Sequence, residues 1–332
     1  MTRMQDIADK LGISKGTVSK ALNGTSNISK ELQNKILETA VEMGYTKKFR
    51  YGKKEEQKLC ILITNTEYKE PHQFAYDIIL GFRKIAEPAG YMVDVIELTD
   101  KIQKSIHYDT FMLQNNYRGA FVIGLSLASP WLKEFQTSQI PAVLYDNYIL
   151  GNPSIACVGI DNAEGMALAV SHLKQLGHKS IGYLSGSLGS HIMQVRHKAF
   201  FQALHQSGLN ADYKRARDAY LITECVEQNL PKLLKMEVTA IICSHDQLAN
   251  ATMLQCQQLG YHVPNDISII GFDDLPFCAY TSPPLTTVRQ NRTQIGKSAY
   301  SALENLINQI SIGTLLLHAQ LIVRDSTGEA NS

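Results

Sequence analysis

The chain has 332 residues, with 32 lysines and arginines against 31 aspartates and glutamates, 44% hydrophobic and 19% charged side chains. That balance excludes disorder and collagen-like repetition, and predicts two or three domains whose cores need no disulfide staples. No stretch reaches the roughly 18 consecutive apolar residues of a membrane helix, and the N-terminal MTRMQDIADK is polar where a signal peptide carries an apolar run, so a cytoplasmic protein with no membrane partner is expected.

From Met4 to Met43 the apolar residues recur at helical spacing in three groups, broken at Gly12 and at Asn23-Gly24. The spacing predicts a first helix over 4–11, a second over 15–22 capped by Ser14, and a third over 30–43 capped by Ser29 and ending at Gly44. Residues 46–58, TKKFRYGKKEEQK, are lysine-rich and hold no aliphatic side chain, which reads as an exposed linker. Beyond it, short β-branched runs alternate with amphipathic helices: LCILIT, VDVIEL, GAFVIGL, PAVLYD, SIGYLSG, TAIICSH, ISIIGFDD and LTTVRQ lead to LIVRDST. Such alternation calls for parallel sheets with right-handed crossovers, and this length is too great for one doubly wound sheet, so two lobes are expected. Ligands in these folds bind at the carboxyl ends of strands, which directs the search for function to an interlobe cleft.

The charge is uneven. Residues 1–58 carry 12 basic and 7 acidic side chains, net +5, leaving 20 and 24, net −4, for the remainder. A basic head on a neutral body is the distribution of a nucleic-acid reader. In MQDIADKLGISKGTVSKALNG, Ile7, Ala8, Leu11, Val18 and Leu22 are spaced to pack two helices together, while Lys15, Gly16, Ser19 and Lys20 point outward at the end of the second helix that such motifs present to base edges. Ser14, Thr17, Asn23, Thr25 and Ser29 sit at caps or in the following loop and suit phosphate contacts, although each hydroxyl is equally explained as a plain helix cap.

This head, IADKLGISKGTVSKALNG followed by ISKELQNKILETAVEMGY, resembles that of the LacI/GalR family of bacterial transcription regulators. SHLKQLGHKSIGYLSG, CSHDQLA, ISIIGFDD, SPPLTTVRQ and LIVRDSTG are each similar to a family segment at the same place in the order. The resemblance implies an α/β protein: a three-helix helix-turn-helix head (1–46), a basic linker (47–58), and a two-lobed periplasmic-binding-protein-like core of doubly wound parallel sheets (59–332). Within that core, lobe 1 would comprise about 59–161 and 290–312, and lobe 2 about 162–289 and 313–332. It further implies a homodimeric repressor that binds double-stranded operator DNA and is controlled by a small effector, most often a sugar or glycoside, without a cofactor. A nucleoside, a sugar phosphate or a corepressor protein are alternatives.

The linker departs from the family. The usual Pro-Asn pair, Ala-Arg and leucine of a hinge helix are missing, no leucine lies between Tyr45 and Leu59, and only Phe49 and Tyr51 could wedge into a minor groove. Weaker DNA bending and a larger phosphate share of affinity are the expectation.

Carried over position by position, Arg196 in SGSLGSHIMQVR matches the family's effector-binding arginine, whose fork of donors suits paired sugar oxygens. Asp273 in IIGFDD matches the acidic ligand, with neighbouring Asp274 as its alternative, and Asp146 in AVLYDN ends a strand of the other lobe. His245 in CSHDQ stands where the family often has asparagine, and would favour an acidic or phosphorylated ligand if it became cationic near neutral pH. Phe74 in EPHQFAY lies where the family lines the first lobe's side of the pocket, with Trp131 and Tyr148 as further aromatic candidates.

Other classes fit less of the chain. There is no GxGxxG, GxxxxGK[ST], HExxH or GxSxG motif to support an enzyme. Cys60, Cys157, Cys225, Cys243, Cys256 and Cys278 form no CxxC pair, so neither a metal cage nor a redox couple is signalled. An exported sugar-binding protein would explain the body but not the basic head.

Overall fold

The computed structural model describes residues 2–22, 28–45 and 57–331. Asn23, Thr25 and almost all of the linker, Phe49 and Tyr51 included, lie outside them.

The head is three helices, α1 (Met4–Leu11), α2 (Lys15–Leu22) and α3 (Lys30–Glu42). Gly12, at φ 65°, adopts the left-handed conformation that ends α1, which an L side chain would resist. Ser29 caps α3 by accepting the Leu32 N–H. Ile7 and Ala8 of α1, Val18 and Ala21 of α2, and Ile36 and Ala40 of α3 close a small core completed by Tyr45. So small a core leaves the caps a real share of the head's stability.

Among the described residues the remainder contributes twelve strands: β1 (Gln57–Ile63), β2 (Tyr91–Glu97), β3 (Tyr117–Ile123), β4 (Ala142–Tyr145), β5 (Ile155–Ile160), β6 (Ile181–Ser185), β7 (Ala216–Asp218), β8 (Ala240–Cys243), β9 (Ser268–Asp273), β10 (Thr286–Arg289), β11 (Thr314–Leu317) and β12 (Gln320–Ile322). They form two six-stranded sheets, β11-β5-β4-β3-β1-β2 and β12-β10-β9-β8-β6-β7. Strand β1 thus begins at Gln57, two residues inside the segment expected to be linker. Strands β4 and β5 pair in parallel without a helix between them, a step that strict strand–helix alternation does not anticipate.

The chain divides into two compact units, the first made of residues up to Thr66 with Asp77–Val158 and Thr293–Leu315, the second of Glu67–Tyr76, Gly159–Arg292 and Leu316–Ser332. In the first, β4 and β5 are buried along their whole length, as parallel strands covered on both faces must be. Helices Tyr76–Ala86 and Arg292–Ile307 approach closely at Gly81 and Gly296, where any side chain would run into the carbonyls of Thr293 and Ile78. Trp131 belongs to the core here: it is fully buried, stacks edge-on to Tyr108 and donates its indole N–H to the Ile106 carbonyl at 2.9 Å. It is not available as a ligand platform.

In the second unit the described strands pair in parallel, except β10 with β12, which run antiparallel. Leu184, Cys243, Leu248, Met253, Ile269 and Leu285 lie at the heart of its core. Phe74 is packed against this cluster. The structure therefore places Phe74 in the second unit, not on the first lobe as expected, because the Glu67–Tyr76 segment belongs there. The tail is tied down by His178, whose Nδ1 meets Thr239 Oγ1 at 2.8 Å and whose Nε2 lies 3.1 Å from Ser268 Oγ and 3.0 Å from the Gly328 carbonyl. All six cysteines are free and buried. Among the described residues no helix is long and apolar enough to cross a membrane, and no cluster of histidine, cysteine or acidic side chains could hold a metal ion.

Candidate functional site

On the head, Ser14 Oγ accepts the Thr17 N–H at 3.1 Å and lies 2.9 Å from the Thr17 hydroxyl, so both residues serve the start of α2. Ser29 likewise serves α3. Lys15, Gly16 and Lys20 are exposed on α2, while Thr17 and Ser19 are half-buried. A side chain added at Gly16 would meet only Ser14 Oγ, at an ordinary 3.5 Å, so packing within the head does not demand a glycine there. The N-terminal end of α2 is thus an open, basic surface with its hydroxyls turned to capping.

In the second unit, four expected or neighbouring residues converge at the carboxyl ends of β6, β8 and β9. Arg196 projects from helix His191–Gln206 and is 3% exposed, an uncommon state for a guanidinium unless it is fully paired. Its Nε donates to Asn162 Oδ1 at 2.9 Å, one Nη donates to the Ser244 carbonyl at 2.6 Å, and the same nitrogen lies 3.5 Å from Asp273 Oδ1. The ring of Phe272 lies beneath the guanidinium, its centroid 3.8 Å from Cζ. Asp273 in turn accepts from Gln290 Nε2 at 2.6 Å.

Burial raises the Asp273 carboxyl from its ordinary value, and the Arg196 charge is the foremost influence opposing that rise. Asp273 has φ 120° and Asp274 φ 51°, conformations that cost non-glycine residues roughly 1–3 kcal/mol each and persist only where the surroundings over-determine them. Asp274 supplies part of that constraint: its carboxylate bonds Arg289 at 2.6 Å and Arg324 at 2.7 Å. Of the two adjacent acids, Asp274 is consumed by structural pairs and Asp273 faces Arg196.

His245 caps helix Asp246–Gln258, its Nδ1 accepting the Leu248 N–H at 3.2 Å. A backbone N–H can only donate, so Nδ1 is unprotonated and the ring proton sits on Nε2. Burial lowers its pKa, and the neighbouring Arg196 charge lowers it further, to about 4. His245 is therefore a neutral donor near pH 7, which favours the amide-like role its residue type allows over a cation that would draw a phosphorylated ligand. Asp146 follows β4 in the first unit at φ 55°, its N–H bonded to the Val158 carbonyl at 3.0 Å. Tyr148 is exposed. Asn162, Gln290, Ser244 and Asp246 were not expected from sequence. Asn162 opens the helix Asn162–Gln175 just after β5, and Gln290 lies between β10 and the helix Arg292–Ile307, strand-to-helix positions that are the one signal that could have raised them, whereas the roles of Ser244 and Asp246 are visible only in contacts.

A helix-turn-helix head ahead of a core of two parallel-dominated sheets, with a polar cluster at strand carboxyl ends, is the architecture of a DNA-binding protein under small-molecule control. Residues 3–48 match the model of bacterial regulatory proteins of the lacI family, and residues 170–327 match a periplasmic binding protein-like domain. The chain thus carries a lacI-family DNA-binding head and a periplasmic-binding-protein-like domain, and is homologous to LacI-family transcriptional repressors. It is 28% identical over 329 residues to the HTH-type transcriptional repressor CytR of Escherichia coli K12, covering 98% of this chain and 96% of that one. It superposes on the Lac repressor dimer bound to operator and the anti-inducer ONPF with a TM-score of 0.67 at 22% identity, over 98% of this chain and 99% of that one. The complex of the transcriptional regulator CelR with cellobiose gives 0.70 at 21% identity, over 98% and 100%. Such repressors are not enzymes; they bind operator DNA and small-molecule effectors and form dimers.

Proposed function

We propose that the chain acts as a homodimeric, cytoplasmic repressor whose heads read a roughly two-fold symmetric operator through Lys15, Gly16, Ser19 and Lys20, and whose effector is a neutral, hydroxyl-rich molecule of the sugar or glycoside class. Ser14, Thr17, Asn23, Thr25 and Ser29 would position the head on phosphates. Arg196 and Asp273 would hold the effector, with His245 as a donor beside them and Asp146 and Phe74 as further candidates. The observation that carries this reading is the charge balance around Arg196: one guanidinium, one carboxylate facing it and a neutral imidazole favour an uncharged ligand over a phosphate. The sugar-bound CelR relative is consistent with that class. Effector and operator would then be linked by a coupling free energy, of either sign.

The test is thermal stability of the purified chain against mono- and disaccharides, glycosides, sugar phosphates and nucleosides. A ligand at about 100 times its dissociation constant stabilises by about 2.7 kcal/mol, a shift easily read. A neutral sugar is expected to raise the melting point. A response confined to phosphates overturns the charge argument, and a blank panel makes a corepressor protein the controlling partner. Arg196→Lys keeps a cation beside Asp273 but removes the planar fork. It should abolish the ligand shift while leaving operator affinity within about twofold of wild type, and a retained shift sinks the assignment of Arg196.

A further inference from the structure

We propose that Asp246 is a positioning residue: its carboxyl clamps the end of β9 on both sides of Asp273 and so aims the Asp273 carboxylate at Arg196. This rests on reading Arg196 and Asp273 as the effector pair. Asp246 is wholly buried in the first turn of its helix. The helix dipole favours an acid there, but complete burial of a carboxylate costs more than a dipole returns, so its retention calls for contacts that a smaller residue could not make.

Two contacts answer this. Asp246 Oδ2 accepts the Leu275 N–H at 2.8 Å, two residues after Asp273. Its Oδ1 accepts from Thr287 Oγ1 at 2.6 Å, and Thr287 pairs across the sheet with Gly271, two residues before Asp273. Any side chain at Gly271 would collide with Asp246 Oδ1, so the missing Cβ is the seat in which the carboxyl rests. Between these contact points lie the two left-handed residues, Asp273 and Asp274, whose carbonyls are both bonded by Arg292. Asp246 thus grips the strand before the strained corner and the chain after it.

The two acids also act on each other. Burial raises Asp246, and the Asp273 charge raises it further, to about 7. The groups facing Asp246 are Asp273, Thr287, the Leu275 N–H and Cys278, whose thiol burial raises far above neutrality. Those facing Asp273 are Arg196, Gln290 and Arg292. Burial thus raises both carboxyls; Arg196, Gln290 and Arg292 oppose the rise at Asp273, and the Thr287, Leu275 and Cys278 donors oppose it at Asp246.

The buried Arg196 Nε–H, bonded to Asn162, is the reporter: an ¹⁵N-resolved NMR signal of the full chain, assigned by its loss in Arg196→Lys. Asp246→Ala should shift this signal and lower its exchange protection by about tenfold or more, as local opening of the pair would. Asp246→Asn can accept from Leu275 and donate to Thr287, so it should restore protection to near wild type and remove the pH response of the signal between about pH 6 and 8. An unchanged signal in Asp246→Ala, or Asp246→Asn behaving like Asp246→Ala, overturns the proposal. If Asp246→Ala does not fold, Gly271→Ala, which displaces the carboxyl while keeping it, should give the same loss, and an unchanged signal there overturns it equally. No readout uses an effector, so failure here leaves the effector reading standing, and failure of that reading leaves this geometry to be judged on its own.

Discussion

Single residues separate structural from functional demand most clearly where packing asks for nothing. Gly16 is such a case: a methyl group there meets ordinary space, and exchanging glycine for alanine in a helix is worth about 0.5–1 kcal/mol. Gly16→Ala should therefore raise the melting point of the head while lowering operator affinity, because on the proposed reading the added methyl would stand between α2 and the groove. Operator affinity unchanged in a binding isotherm removes Gly16 from the DNA-facing surface. His245 illustrates the converse. Its residue type alone allowed a switch near neutral pH, but one backbone N–H on Nδ1 and burial beside Arg196 set it as a neutral donor.

At the scale of elements, the second unit holds its tail through a histidine whose burial disfavours the charged form. Burial lowers the His178 pKa below its ordinary value, and His172, which meets Thr327 at 3.0 Å in the same tail, is lowered by burial as well. For a base with a depressed folded-state pKa, the unfolded chain binds the extra proton, so the stabilisation is complete above the unfolded value of about 6.5 and is lost as pH falls toward the folded one. The melting point should fall steadily below about pH 6.5. His178→Gln, which does not titrate, should flatten that part of the profile, and an equally steep decline in the variant assigns the loss to other groups. The helices themselves were legible from spacing: α1 and α2 match the expected bounds and α3 ends one residue early, since apolar period and cap chemistry are local properties. Strand β5 escaped because it follows β4 without a helix, and β7 and β11 because three or four residues carry too little pattern.

For the whole molecule, the basic head and linker imply affinity that depends strongly on salt. Each phosphate contact adds roughly 0.9 to the slope of log affinity against log salt. Replacing Lys47, Lys48 and Arg50 by glutamine should flatten that slope by up to three such contacts, or about 2.7, in titrations at several salt concentrations, and a change below one contact excludes the linker from the phosphate share. The sequence by itself determined the class of fold and the three-helix head, and singled out Arg196 and Asp273, which lie 3.5 Å apart, because periodicity, caps and motif order are written along the chain. Only the tertiary structure decided that Asp274 is tied up by Arg289 and Arg324, that His245 is neutral, that Trp131 is core, that Phe74 belongs to the second unit, and that Asp246 rests where Gly271 lacks a side chain. Each of those depends on groups far apart in the chain meeting in a buried space, where the protonation and availability of a side chain are set by its neighbours and not by its type.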